Sequence, residues 1–102
     1  MSKANVQTAR SKIGTVYPKG CSEFVSEVLG KGFSATENWT RGAAVEKKDL
    51  SAGDVVGWGG NGVKGHVCIW DGSVYLNCPG PGSAVKENNS MGQQLYRMKH
   101  PN

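Results

Sequence analysis

No apolar run in the chain exceeds a few residues, as in Val67 to Trp70, against the roughly 18 that a membrane span requires. Membrane insertion is therefore not expected. Residues 1–14 (MSKANVQTARSKIG) lack the apolar h-region of a Sec-type signal, so the expectation is a chain made in the cytoplasm. If it acts in the periplasm or cell wall, a secretion system or lysis must deliver it. Cysteine is scarce and odd in number, three residues with no C-x₂₋₄-C pair, which argues against a disulfide framework and a zinc site and for free thiols. There are only two histidines, and no G-x-S-x-G occurs. Ser83 to Lys86 reads S-x-x-K, but Pro81-Gly82 deprives it of a helix, so serine chemistry is disfavoured. Clustered basic residues are missing too. The twelve Lys and Arg, giving a net charge of +4, are dispersed, which disfavours nucleic acid while permitting attraction to an anionic polymer such as cell wall.

The 102 residues, 37% hydrophobic and 20% charged, suffice for one packed core and not for two, so 1–102 is read as a single domain. Glycine is abundant, 15 residues with clusters at 57–65 and 72–82, which suggests loops between short strands. Helical signals come first and strand signals after, the α+β pattern. Ser2 is a candidate cap for a helix to about Ile13, with Val6, Ala9 and Ile13 near one face and Gly14 as its stop. Cys21, Phe24, Val25, Val28 and Leu29 form the apolar stripe of a second helix ended by Gly30. Thr15 to Gly20 reads as a turn-rich connection and Thr40 as the cap of a short helical turn to Val45. Strands are expected at Asp54–Trp58, His66–Trp70 and Ser73–Asn77, with Gly59–Gly65 a flexible loop. Asp71-Gly72 reads as a two-residue hairpin turn. Cys78–Gly82 (CPGPG) cannot continue a strand. Lys86–Gly92 reads as loop and Gln93–Lys99 as a last strand.

A two-residue turn at Asp71-Gly72 sets His66 directly opposite Asn77, within reach of a hydrogen bond that would fix the imidazole tautomer. A chance meeting of the two on a solvated face is the competing reading. Cys21 lies in the first turn of its helix, where unpaired N–H groups and the dipole favour a thiolate. It also lies on the core stripe, so a packing role competes. Taken together, Cys, His and Asn in that order form the nucleophile, base and orienting residue of papain-like catalysis. Cys68 is expected to pack beneath the Cys21 helix, and Cys78, on the opposite strand face, is not expected to bridge to it. His100 falls at a terminus expected to fray.

Gly20-Cys21-Ser22-Glu23-Phe24-Val25, Leu50-Ser51-Ala52-Gly53-Asp54-Val55-Val56, Gly65-His66-Val67-Cys68-Ile69 and Val74-Tyr75-Leu76-Asn77 together resemble the NlpC-type papain-like peptidases of bacterial cell walls. The match covers roughly residues 5 to 80, and the order of the motifs is more specific than any one of them. The resemblance implies a papain-like α+β fold, in which a helix carrying the cysteine packs on a small antiparallel sheet. It also implies a cysteine amidase or endopeptidase that cuts the peptide stem of peptidoglycan without cofactor or metal. Cys21 is then the nucleophile, His66 the general base and Asn77 the orienting residue, with Tyr17 and Ser22 as oxyanion or substrate-lining candidates. Two departures stand out, since the family's usual Asp before the cysteine is Gly20 here and the preceding segment is abbreviated. The small size looks like that of type VI secretion amidase effectors or prophage lysis enzymes, and the effector reading implies a cognate immunity protein.

Rival readings keep the fold and change the target or the chemistry. They are a papain-like deamidase or acyltransferase toxin acting on protein, and a non-catalytic wall-binding module. Gly60-Asn61-Gly62-Val63-Lys64-Gly65 matches G-x-G-x-x-G, but the residues after it read as strand, so a dinucleotide site would lack its helix. Trp39, Trp58 and Trp70 are read first as packing residues.

Overall fold

The computed structural model describes residues 3–102. The chain opens with α1 (Val6–Ser11), β1 (Val16–Tyr17) and α2 (Cys21–Val28), and continues through β2 (Thr40–Val45), β3 (Val55–Gly60), β4 (Val63–Trp70) and β5 (Tyr75–Asn77). It ends with β6 (Ser83–Ala84), β7 (Lys86–Asn88) and β8 (Leu95–Lys99), with 3₁₀ turns at Thr36–Asn38 and Lys47–Asp49. Six strands form one antiparallel sheet in the order β2-β8-β3-β4-β5-β7, and β1 pairs with β6 in a small second sheet. The fold is a compact α+β domain.

The central strands β3, β4 and β5 are buried on both faces along most of their length, and the period-two alternation divides the core. Val55, Val67, Ile69 and Leu76 pack with Phe24 and Val25 of α2. Their strand neighbours Val56, Cys68, Trp70 and Tyr75 form a second cluster with Val45 and Leu95. Cys68 thus packs on the face away from α2, which corrects its expected place beneath that helix. Helix α2 forms as its apolar stripe predicts, with Gly30 beyond its end at φ 71°. Helix α1 is shorter than expected. Asn5 caps it by accepting from Thr8 N–H at 3.0 Å, and Lys12 follows its last turn; the expected cap Ser2 lies outside the described residues. Of its expected face only Ala9 is buried, while Ile13 is 39% exposed.

Five further expectations are corrected, three of them by pairing between distant segments, which local signals do not contain. Thr40–Val45 is a strand along β8 and not a helical turn, with Arg41 lying over the Tyr96 ring. Val16–Tyr17 pairs with Ser83–Ala84, and Lys86–Asn88 pairs with β5, although both regions read as connections. The expected loop 59–65 is the end of a β3–β4 hairpin whose two-residue turn is Asn61-Gly62, at φ 52° and 92°. Such a turn needs positive φ at both positions, which Asn and Gly supply. The β4–β5 connection has four residues instead of two: Trp70 pairs with Tyr75, and Asp71 Oδ1 accepts from the N–H groups of Ser73 and Val74, each at 2.8 Å. Side-chain capping by Asp71 stabilises this wider loop, and it shifts the register by two residues relative to a two-residue turn.

The expected fraying at His100 is also overturned. His100 is 4% exposed; its Nε2 donates to Gly32 O at 2.9 Å, and its ring meets the Trp39 ring edge-on at 4.8 Å.

Asp54, 5% exposed, anchors the start of β3, accepting from Lys3, from Arg97 at 3.0 Å and from Ser51 N–H at 2.8 Å. Burial disfavours its charge, but Lys3, Ser51 N–H and Arg97 outweigh that and hold the carboxyl below its usual range. Asp54→Asn is expected to cost about 2 kcal/mol, read as a Tm lower by roughly 10 °C in a thermal melt at pH 7. Because the folded value is depressed, this stabilisation is complete above the ordinary carboxyl range near ~4 and is lost as pH falls through the folded value. Wild type and variant should therefore converge in acid.

Candidate active site

The site is assembled where the N-terminus of α2 meets β4. Gly20 precedes the helix at φ 85°, ψ −148° and makes no side-chain cap, a conformation available essentially to glycine alone. A Cβ at this position would stand 2.9 Å from Pro81 N and 3.1 Å from Gly80 C. The Cys78–Gly82 loop therefore occupies the space that a side chain before the cysteine would need, which explains why this chain has Gly there. Cys78 helps to hold that loop, donating its thiol to Ser83 O at 3.3 Å.

β4 pairs with β5 only through Ile69 and Trp70, although it begins at Val63. Cys21 meets the stretch that β5 leaves uncovered. Its sulfur lies in the field of the His66 ring and of the Val67 and Ser22 N–H groups, all of which favour the thiolate. Burial opposes the thiolate, but His66 and these two donors prevail, and the thiol lies below its ordinary value. On the His66 side, burial opposes the imidazolium, while the Cys21 sulfur and Asn77 outweigh it and raise the ring's pKa. The two shifts favour a thiolate–imidazolium pair.

His66 is 8% exposed and Asn77 is 4% exposed. His66 Nε2 lies 2.5 Å from Asn77 Oδ1; since that oxygen only accepts, Nε2 carries a proton and Nδ1 is the nitrogen left for Cys21. The β4–β5 register does not set the two residues opposite each other as expected. They are diagonal neighbours, Asn77 sitting two positions nearer the turn than the residue that would oppose His66. Diagonal neighbours on a sheet still lie within reach of long side chains.

Three features were not anticipated from sequence. The Trp58 ring stacks on His66 with centroids 5.0 Å apart and planes 26° apart, shielding the imidazole. Their pairing across β3–β4 requires an irregularity between Trp58 and Gly60, and the Gly59-Gly60 pair, both at positive φ, is the signal that could have suggested it. Asn77 Nδ2 donates to Asn88 Oδ1 at 3.2 Å. Thr36 Oγ1 accepts from Gly65 N–H at 3.0 Å, fastening the 3₁₀ turn beside His66.

Cys21 and His66 open into a cleft of about 500 Å³, whose lining includes Phe33, Thr36 and the Pro79–Pro81 loop. Ser22 lines this cleft. Tyr17 does not: it is buried against Phe24, with its hydroxyl donating to Glu27 farther along α2. All three cysteines are free. Burial raises the thiols of Cys68 and Cys78, so of the three only Cys21 is shifted toward thiolate. Among the described residues, no group of three or more His, Cys, Asp or Glu is placed to hold a metal ion.

In chemical terms this α+β domain carries a thiol beside an imidazole that is hydrogen-bonded to an amide, with thiol and imidazole lining an open cleft. Comparison of the chain with protein-family models, with curated proteins and with solved structures finds no match in any of the three.

Proposed function

We propose that the protein is a cysteine amidase of the papain-like, NlpC-type class, acting on the peptide stem of peptidoglycan through Cys21, His66 and Asn77. The observation that carries this reading is the His66 Nε2 to Asn77 Oδ1 bond of 2.5 Å, with Cys21 beside the same ring and both residues lining an open cleft. The Cys21 thiolate attacks the amide carbonyl carbon, forming a C–S bond while the carbonyl π electrons move to oxygen. The α2 first-turn N–H groups, which have no partner within the helix, are suited to receive that oxyanion. When the C–N bond breaks, the leaving amine takes the proton from His66 Nδ1. Water, giving its proton back to His66, then hydrolyses the thioester and restores the thiol.

The rim supports an anionic substrate, since Lys19 and Lys64 line the cleft with Glu37 as the one acidic side chain there. Stem carboxylates suit such a field. On this reading the protein works in the periplasm or wall after delivery by a secretion system or lysis, and as an effector it would be paired with an immunity protein that occludes the cleft.

The test is mass-resolved muropeptide analysis of purified sacculi treated with wild type or with Cys21→Ala. New fragments from the wild type alone are expected, and their masses name the bond. No fragments from either protein would contradict the wall substrate, and release of ammonia from protein glutamine side chains by the wild type would then favour the deamidase reading.

A further inference from the structure

The hydrogen-bonded row continues past Asn77. His66, Asn77 and Asn88 lie on three neighbouring strands, β4, β5 and β7, and each step of the row is diagonal by two residues in the local register. Asn77 is 4% exposed and uses both ends of its amide, Oδ1 toward His66 Nε2 at 2.5 Å and Nδ2 toward Asn88 Oδ1 at 3.2 Å. Asn88 sits on a braced strand, since β7 pairs with β5 over three residues and its Glu87 takes Arg10 of α1 at 3.0 Å.

The two ends of a carboxamide are nearly identical in shape and opposite in hydrogen-bonding sense. Turned over, the Asn77 amide would present an N–H to His66 Nε2. That nitrogen would then have to accept, and the imidazolium form, with a proton on both nitrogens, would lose its partner. Contact with a neutral His66 ring, which can carry its proton on either nitrogen, therefore does not select the productive orientation. An acceptor at the far end does.

We propose that Asn88 is a positioning residue, whose side-chain oxygen holds the Asn77 amide with Oδ1 toward His66 and so maintains the imidazolium that stabilises the Cys21 thiolate. The inference rests on the thiol reading of the site, and it assigns to position 88 a requirement for an acceptor and not merely for a side chain of a given size.

The experiment measures the rate of iodoacetamide alkylation at Cys21, resolved by mass spectrometry, from pH 5 to 10. It compares wild type, Asn88→Leu, Asn88→Ala and Asn88→Asp, each alone and with Asn77→Ala, after thermal melts establish which are folded. The isosteric Asn88→Leu is expected to lower the near-neutral rate about three- to tenfold and to move the acid limb of the profile to higher pH. Asn88→Asp, which can only accept, is expected to keep the wild-type limb or extend it. In the Asn77→Ala background position 88 is expected to have no effect. Asn88→Ala carries the same expectation as Leu, should the latter not fold. A wild-type profile in Asn88→Leu would overturn the proposal, as would a loss in Asn88→Asp equal to that in Asn88→Leu. A wild type with no neutral-pH reactivity would instead overturn the thiol reading, and this inference with it.

Discussion

Cys21→Ala is expected to leave the fold intact while lowering hydrolysis of the proposed amide substrate by about a thousandfold or more. The size of the effect follows from the chemistry, since alanine offers no electron pair to form the C–S bond and the remaining donors can only orient water. The fold should tolerate the change because Cys21 is only partly buried at the edge of its cluster and bridges to no other cysteine. A Tm within a few degrees of wild type together with lost activity is the expected pair of readings. Cys68→Ala should show the opposite pattern, because this fully buried thiol is raised and lies outside the cleft lining. Residual activity in Cys21→Ala comparable to wild type would mean that another group performs the attack.

Gly20→Asp tests the main departure from the NlpC-type pattern, in which an Asp stands at this place. Here the substitution is expected to be damaging. The backbone at φ 85°, ψ −148° lies in a region essentially restricted to glycine, and any other residue there costs on the order of 1–3 kcal/mol. Contact between the new Cβ and the Pro81 backbone, at 2.9 Å, adds to that cost, and backbone cannot yield as a side-chain tip does. A Tm lower by at least about 10 °C is expected, with slower alkylation of Cys21 in whatever protein folds, because the helix start that presents the sulfur must shift. Gly20→Ala should lose nearly as much, which separates the backbone requirement from the charge of Asp. A Gly20→Asp protein as stable as wild type would show that the Cys78–Gly82 loop yields freely.

Helix α2 was legible because its apolar residues recur at helical spacing and Gly30 ends it. The last strand was legible too, and so was the end of β5 at the prolines. What could not be read was pairing at a distance. Thr40–Val45 carries a cap-like threonine and is exposed along most of its length, so nothing local distinguishes a helical turn from a strand that β8 recruits. In the sequence, the proximity of His66 and Asn77 follows from a two-residue turn that does not form. The two residues meet because the wider Asp71 loop makes them diagonal neighbours and not opposed ones. Asn61-Gly62 was a plain hairpin signal, but the glycines around it read as a loop. Trp58 over His66 depends on an irregularity in β3, and Asn88 depends on a strand that read as connection. In both cases the residue type was visible and its register was not.

The most direct test of the account is the pH dependence of Cys21 alkylation in wild type and His66→Ala. The His66 ring and two backbone N–H groups lower the thiol while the sulfur raises the ring. The wild type should therefore react fast and selectively at Cys21 at neutral pH, below the ordinary thiol range near ~8.5, with Cys68 and Cys78 silent. In His66→Ala the neutral-pH reactivity should disappear and return only as pH rises into that ordinary range. An unchanged profile in His66→Ala, or a wild-type Cys21 that reacts no faster at neutral pH than an ordinary thiol, would contradict the thiolate–imidazolium pair on which the proposed activity depends.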